Sequence, residues 1–173
     1  AVDFVRVAEK GSLRIAYVGL NSGTSLHRAN ALRRLGHSVE VFDPSDHLPR
    51  RSLFWKFHYE TGGVFIGKEI GTKIWAVMDP HEFDIVWVDH GRFIGPDFVR
   101  QCRTSGLKTV VVNIDDPFGT RDRYSWKLFR KTIPEYDLVV VFRELNVPEA
   151  KALGARDVMR IMMCADEIAH APR

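Results

Sequence analysis

The sequence predicts an α/β protein with a Rossmann-like, doubly wound, mainly parallel six-stranded sheet and helices on both faces. Three observations carry this reading. Short β-branched runs recur along the 173 residues, most of them end in a polar or glycine-bearing loop, and a helical stretch follows most of those loops. That alternation is what parallel strands joined by crossover helices require.

The elements follow in order. "LRIAYVG" (13–19) is a strand, "LNSG" a loop, and "TSLHRANALRRLG" (24–36) a helix. Leu26, Ala29, Leu32 and Leu35 fall on one face of that helix, and Gly36 stops it. "HSVEVFD" (37–43) is the second strand, which completes a crossover unit of ordinary size. From 44 to 83 the pattern is weaker. Ile66, Ile70, Ile74 and Val77 have helical spacing, and Gly62 and Gly63 mark a break between two helices. The rhythm then returns with strand 84–90, helix 96–106, strand 108–114, a short helix near 122–132, strand 137–142, helix 147–154 and strand 157–162. No internal repeat, low-complexity tract or long linker interrupts it.

Composition bounds the function. With 45% hydrophobic and 27% charged residues, the chain supplies one sizeable core, and residues 1–173 read as a single domain. A formal charge of +3 is far from the dense Lys/Arg clustering of a dedicated nucleic-acid binder. Cys102 and Cys164 lack metal-ligand or CxxC spacing, no metal site is expected, and a reduced, cytoplasmic protein follows. No apolar run is long enough to span a bilayer. "HLPRRSLFWKFHY" (47–59) interleaves basic and aromatic residues. It reads as a core-facing helix with basic flanks or as a surface for peripheral membrane contact.

In an open parallel sheet, ligands bind beyond the carboxyl ends of the strands. The loop "GLNSGTS" has Gly19, Asn21, Ser22, Gly23 and Thr24 opening directly into a helix, so its backbone N–H groups suit a phosphate. It matches neither G-x-G-x-x-G nor the P-loop, and a tight turn capped by Ser or Thr is the alternative. Asp43, at the end of the second strand, is placed for a ribose hydroxyl. "VDHGRF" offers His90 as a general base and Arg92 for an anionic group. "NIDDPFGTRDRYSW" holds Asp115 and Asp116 before Pro117, which disfavours helical geometry at Asp116 and turns the chain sharply. One carboxylate should face the crevice. The other should cap the turn or the next helix, or pair with Arg121 or Arg123; a solvated turn with local salt bridges is the alternative.

Together, "LRIAYVGLNSGTSLHRANALRRLGHSVEVFD", "DIVWVDHGRFIGPDFVRQCRTSGLKTVVVNIDDP" and "YDLVVVFRELNVPEAKALGARDVMRIMMCADEIAH" resemble the N-terminal half of a GT-B glycosyltransferase of the CgeB-like or family 4 type, over roughly 13–170. The resemblance implies metal-independent transfer of a sugar from a nucleotide-sugar donor to an unknown acceptor hydroxyl. It implies no further cofactor, and a C-terminal nucleotide-binding domain of the same polypeptide as partner. It gives Gly19, Asn21, Ser22, Gly23 and Thr24 as the donor-phosphate loop, Asp115, Asp116 and His90 as catalytic candidates, and Arg92, Arg121 and Tyr124 as acceptor-binding candidates. The C-terminal half is expected to lie outside these residues. The 173-residue chain alone should then transfer no sugar, an expectation that a donor-hydrolysis and transfer assay checks directly. Two other readings stand beside this one. One is a stand-alone Rossmann-like module binding a nucleotide or phosphate without catalysis; the other is an interaction domain acting through 47–59.

Overall fold

A computed structural model describes residues 11–48, 60–122, 124–163, 165–169 and 171. The chain alternates as the sequence predicts. β1 (Arg14–Val18), α1 (Gly23–Arg34) and β2 (Ser38–Phe42) form the first crossover, followed by a 3-10 turn at Pro44–His47 and α2 (Gly67–Val77). Next come β3 (Ile85–Asp89), α3 (Pro96–Thr104), β4 (Lys108–Asn113), α4 (Lys127–Thr132), β5 (Leu138–Val141), α5 (Asn146–Ala152) and β6 (Val158–Arg160). All neighbouring strands pair in parallel, in the order β2-β1-β3-β4-β5-β6. The winding direction therefore reverses between β1 and β3, the switch point where doubly wound sheets open a crevice.

Alternate strand residues feed two cores, as the pleat demands. On one face Ala16, Val18, Val86, Val88, Val111, Val139 and Val141 meet Ile70 and Ile74 of α2, Phe98 and Val99 of α3, and Phe129 of α4. On the other, Ile15, Tyr17, Ile85, Val110, Val112 and Val140 pack with Ala29 of α1. Past β6 the chain returns to α1, where Arg34 pairs with Asp166 at 2.7 Å and Glu167 at 3.1 Å. Cys102 is fully buried, and burial pushes its thiol up to about 12, which leaves it protonated and inert.

Two expectations change. Leu35 leaves the apolar face of α1 and is 71% exposed, because the helix ends at Arg34 and Gly36 turns the chain with φ +91°. Val77 is likewise 67% exposed at the end of α2, whereas Ile70 and Ile74 are buried. Gly62 and Gly63 do mark the break before α2, at φ +65° and +76°. Of the 47–59 segment only His47 and Leu48 belong to the described residues, so a membrane contact there lies outside them, as do Arg123 and Cys164. Among the described residues no helix is long and apolar enough to cross a membrane.

α2 lies close against α3. A Cβ on Gly71 would stand 2.8 Å from the Cβ of Phe98, an atom fixed to the backbone of α3. The two helices have to part to admit it. Gly71→Ala is therefore expected to lose about 1–2 kcal/mol despite the better helix propensity of alanine, read as a lower urea midpoint at unchanged slope.

Candidate active-site crevice

The crevice opens at the switch point. It encloses about 400 Å³ and is lined by the loop after β1 (Gly19, Ser22, Gly23, Thr24) and the loop after β3 (Asp89, His90, Arg92). Its floor is fixed by sterics. A Cβ on Gly19 would meet Ser25 Oγ and Tyr17 Cε1 at 2.7 Å and Asp89 Cβ at 2.9 Å, so only glycine lets β1 pass this close to the neighbouring strand. Beneath it the buried Tyr17 hydroxyl donates to the Ser25 carbonyl at 2.9 Å, and burial raises the phenol well above its ordinary value.

The loop after β1 is suited to an anion. Ser22 occupies the N-cap of α1 but its side chain makes no capping bond, and the first turn holds no acidic residue. The leading N–H groups of a helix have no intrahelical acceptor and carry the positive end of its dipole. Arg92 adds a charge. Its guanidinium lies 4.1 Å from the centre of the Trp126 ring, and its Nε is buried without a hydrogen-bond partner. Trp126 is itself fully buried, so the cation is held by a rigid platform.

The acid nearest this loop, Asp89, is neutralised. Arg28 donates Nε to Oδ1 at 2.9 Å and Nη2 to Oδ2 at 3.3 Å, a two-pronged pair with the carboxylate almost fully buried. Desolvation opposes the charge on Arg28, but Asp89 outweighs it and the guanidinium is raised above its ordinary value. Asp43 is also committed: its carboxylate accepts from Asn21 N at 2.7 Å and Ser45 N at 2.8 Å, which fixes the two loops together and leaves it poorly placed for a ribose hydroxyl. Asn21 does not line the crevice; it faces an open depression beside β2.

His90 is the strained residue of the site. Its φ is +61°, a conformation that a side chain with a Cβ rarely adopts, and no other non-glycine described residue has a positive φ. Neighbouring bonds hold it there. His90 N donates to Val112 O at 2.9 Å, and Asn113 Nδ2 donates to His90 O at 3.2 Å. Asn113, fully buried, also accepts from Asp115 N at 2.8 Å, so one amide aligns both loops. The imidazole Nδ1 then faces Asp115 Oδ2 at 3.6 Å, and Nε2 faces Asp89 Oδ2 at 4.0 Å. Burial lowers the His90 pKa, and Arg28 and Arg92 add to the effect against the raising influence of Asp89 and Asp115. The ring is neutral at pH 7, the state of a proton acceptor.

The adjacent carboxylates divide. Asp116 is a structural cap: Oδ1 accepts from Gly119 N at 3.0 Å and Asn146 Nδ2 at 3.2 Å, and Oδ2 from Arg143 Nη1 at 2.6 Å. Its cation is Arg143, 27 residues away, and not the nearby Arg121. Arg121 pairs with Asp122 at 2.8 Å on the surface. Asp115 is the carboxylate that meets His90. Tyr124 does not line the crevice, and Lys127 rests 5.0 Å from its ring centre. Asn113, Arg28 and Trp126 were not singled out from the sequence, although Asn113 ends a strand where site residues are sought. Among the described residues no group of three or more His, Cys, Asp or Glu side chains is disposed to hold a metal ion.

Comparison with protein-family models, with curated proteins and with solved structures returns no match.

The strain and the burial at His90 give a joint prediction. His90→Gly relieves the backbone and is expected to keep or raise stability by up to about 1 kcal/mol while removing the proton acceptor. The pH dependence has a definite sign. The unfolded chain takes up a proton near 6.5, where the folded His90 resists it. Stability contributed by His90 is therefore full above pH 6.5 and is lost as pH falls below it, down to the depressed folded value. His90→Gly should flatten that part of the curve; urea titrations between about pH 5 and 8 read both effects, and an unchanged slope would refute the assignment.

Proposed function

We propose that the chain is the acceptor-side half of a glycosyltransferase that moves a sugar from a nucleotide-sugar donor to an acceptor hydroxyl. In this reading the 19–25 loop and Arg92 receive the donor diphosphate, and His90, with Asp115 beside it, accepts the proton of the attacking hydroxyl. The observation that carries it is one juxtaposition. A crevice at the switch point, with the α1 N-terminus and Arg92 on its wall, holds at a strained backbone position a histidine whose pKa burial lowers. Phosphate recognition and proton acceptance are the two tasks such a transfer needs from this half.

A stand-alone Rossmann-like nucleotide- or phosphate-binding module would use the same crevice. The commitment of Asp43 to Asn21 and Ser45 counts against a dinucleotide, whose ribose needs a free carboxylate at that strand end. Calorimetric titration with pyrophosphate, UDP and NAD separates the readings. Pyrophosphate and UDP are expected to bind, NAD no better than UDP, and Arg92→Gln to weaken the diphosphate by about tenfold. NAD binding tighter than UDP supports the module; pyrophosphate binding that ignores Arg92→Gln rules out the crevice. In a polypeptide competent for transfer, His90→Ala should cut kcat by about 10²–10⁴.

A further inference from the structure

The carboxyl ends of β4 and β5 frame a second cavity of about 330 Å³, on the other side of the His90–Asp115 pair from the crevice. Asp115, Asp116, Thr120, Arg121, Asp122 and Arg143 supply its polar wall. Two of these carboxylates are matched by cations, Asp116 by Arg143 and Asp122 by Arg121. The third is different. Asp115 is 41% exposed, and its carboxylate accepts no hydrogen bond among the described residues; His90 Nδ1 at 3.6 Å is its ionisable neighbour.

Among the described residues the wall therefore alternates donors and acceptors without an excess of cation. An anion would meet the bare Asp115, and a cation would meet two guanidinium groups. A ligand bearing several neutral hydroxyls suits every group, since each hydroxyl can donate to a carboxylate and accept from a guanidinium or from Thr120. The volume sits at the small end of ligand cavities and admits one ring. We propose that this cavity binds a neutral polyhydroxylated ligand, a sugar or cyclic polyol, with one hydroxyl donating to Asp115. Asp116 shapes the turn, its carboxylate held by Gly119, Asn146 and Arg143. The hydroxyl on Asp115 stands beside His90, so the two cavities meet at one proton-accepting pair. The binding stands on this cavity alone; only the fate of that hydroxyl rests on the transferase reading.

The test is a backbone amide titration of the chain by NMR, with glucose, galactose, mannose and myo-inositol as neutral probes and glucuronate and pyrophosphate as charged ones. At least one neutral probe should give saturable shifts confined to residues 114–122 and 143, with a dissociation constant of about millimolar for a molecule this small. Asp115→Asn and Arg121→Gln should each weaken it about tenfold, and glucuronate should bind more weakly than its neutral parent. Arg121 is 88% exposed, so its substitution is readable even where Asp115→Asn unfolds the chain. The proposal is overturned by the absence of saturable shifts from all four neutral probes, by variants that bind as tightly as the parent, or by tighter binding of glucuronate. Pyrophosphate should move residues 22–25 instead. Its failure alone would sink the transferase reading and leave this cavity standing, and failure of the neutral probes alone would do the reverse.

Discussion

The carboxylate of Asp89 is almost fully buried at the end of β3, and everything at the switch point is arranged around the two-pronged grip of Arg28 on it. The pair joins the helix after β1 to the strand beside β1, so an ion pair ties together the two loops that form the crevice, in addition to the apolar packing of α1 on the sheet. Gly19 permits this, since any side chain would collide with Ser25, Tyr17 and Asp89. A buried pair of this kind adds little net stability, but losing one partner leaves an uncompensated charge and costs about 3–5 kcal/mol. Its effect is geometric. With Asp89 neutralised, the crevice keeps the positive character given by the α1 N-terminus and Arg92, and the β3 loop is free to turn sharply at the next residue.

That next residue is His90, and its strain shows how the frame is used. A left-handed backbone at a residue with a Cβ persists only where neighbours over-determine it. Here β4 supplies both restraints, the carbonyl of Val112 and the amide of Asn113. Asn113 also fixes Asp115 N, so the turn after β3 and the turn after β4 share one buried side chain. The result is an imidazole aimed between two cavities, desolvated enough to stay neutral yet close to two carboxylates that would stabilise its charged form. Glycine would fit the backbone better. A histidine kept there against that preference is more readily understood as serving chemistry than packing.

How much of this the sequence discloses depends on the range of the interaction. Strands and crossovers are legible because β-branched runs and helical spacing are local patterns, and the strand-end loops are legible because the sheet's topology dictates where ligands meet it. The division of labour between Asp115 and Asp116 is half legible. Pro117 implies that they part, but Asp116 takes its cation from Arg143 and an amide from Asn146, both about 30 residues further on, where no spacing rule reaches. Arg28 looks like an ordinary polar position within α1, and Trp126 like an apolar anchor before α4. Their roles come from contacts with Asp89 and Arg92, 61 and 34 residues away in the chain, which only the folded sheet brings about. Leu35 fails for the opposite reason: its helical spacing is correct, and the helix stops one residue short of it.

The two cavities also differ in how their cations are held, and the difference bears on selectivity. Arg92 is stacked on a buried tryptophan and surrenders little side-chain entropy when an anion arrives, so the crevice is preorganised. Arg121 and Arg143 are 88% and 63% exposed, and each pairs with a carboxylate, Asp122 and Asp116. Ordering such long side chains costs about 0.5–1.5 kcal/mol each, a cost that a few neutral hydroxyl contacts only narrowly offset. In the proposed reading, then, the crevice supplies affinity and a fixed point for the diphosphate, while the second cavity discriminates weakly by itself. Its ligand gains position from Asp115, whose backbone N–H is fixed by Asn113 and whose carboxylate faces His90. Selection of the acceptor accordingly falls on the geometry of a single hydroxyl at the His90–Asp115 pair, where a misplacement of about 1 Å is enough to lose the proton transfer.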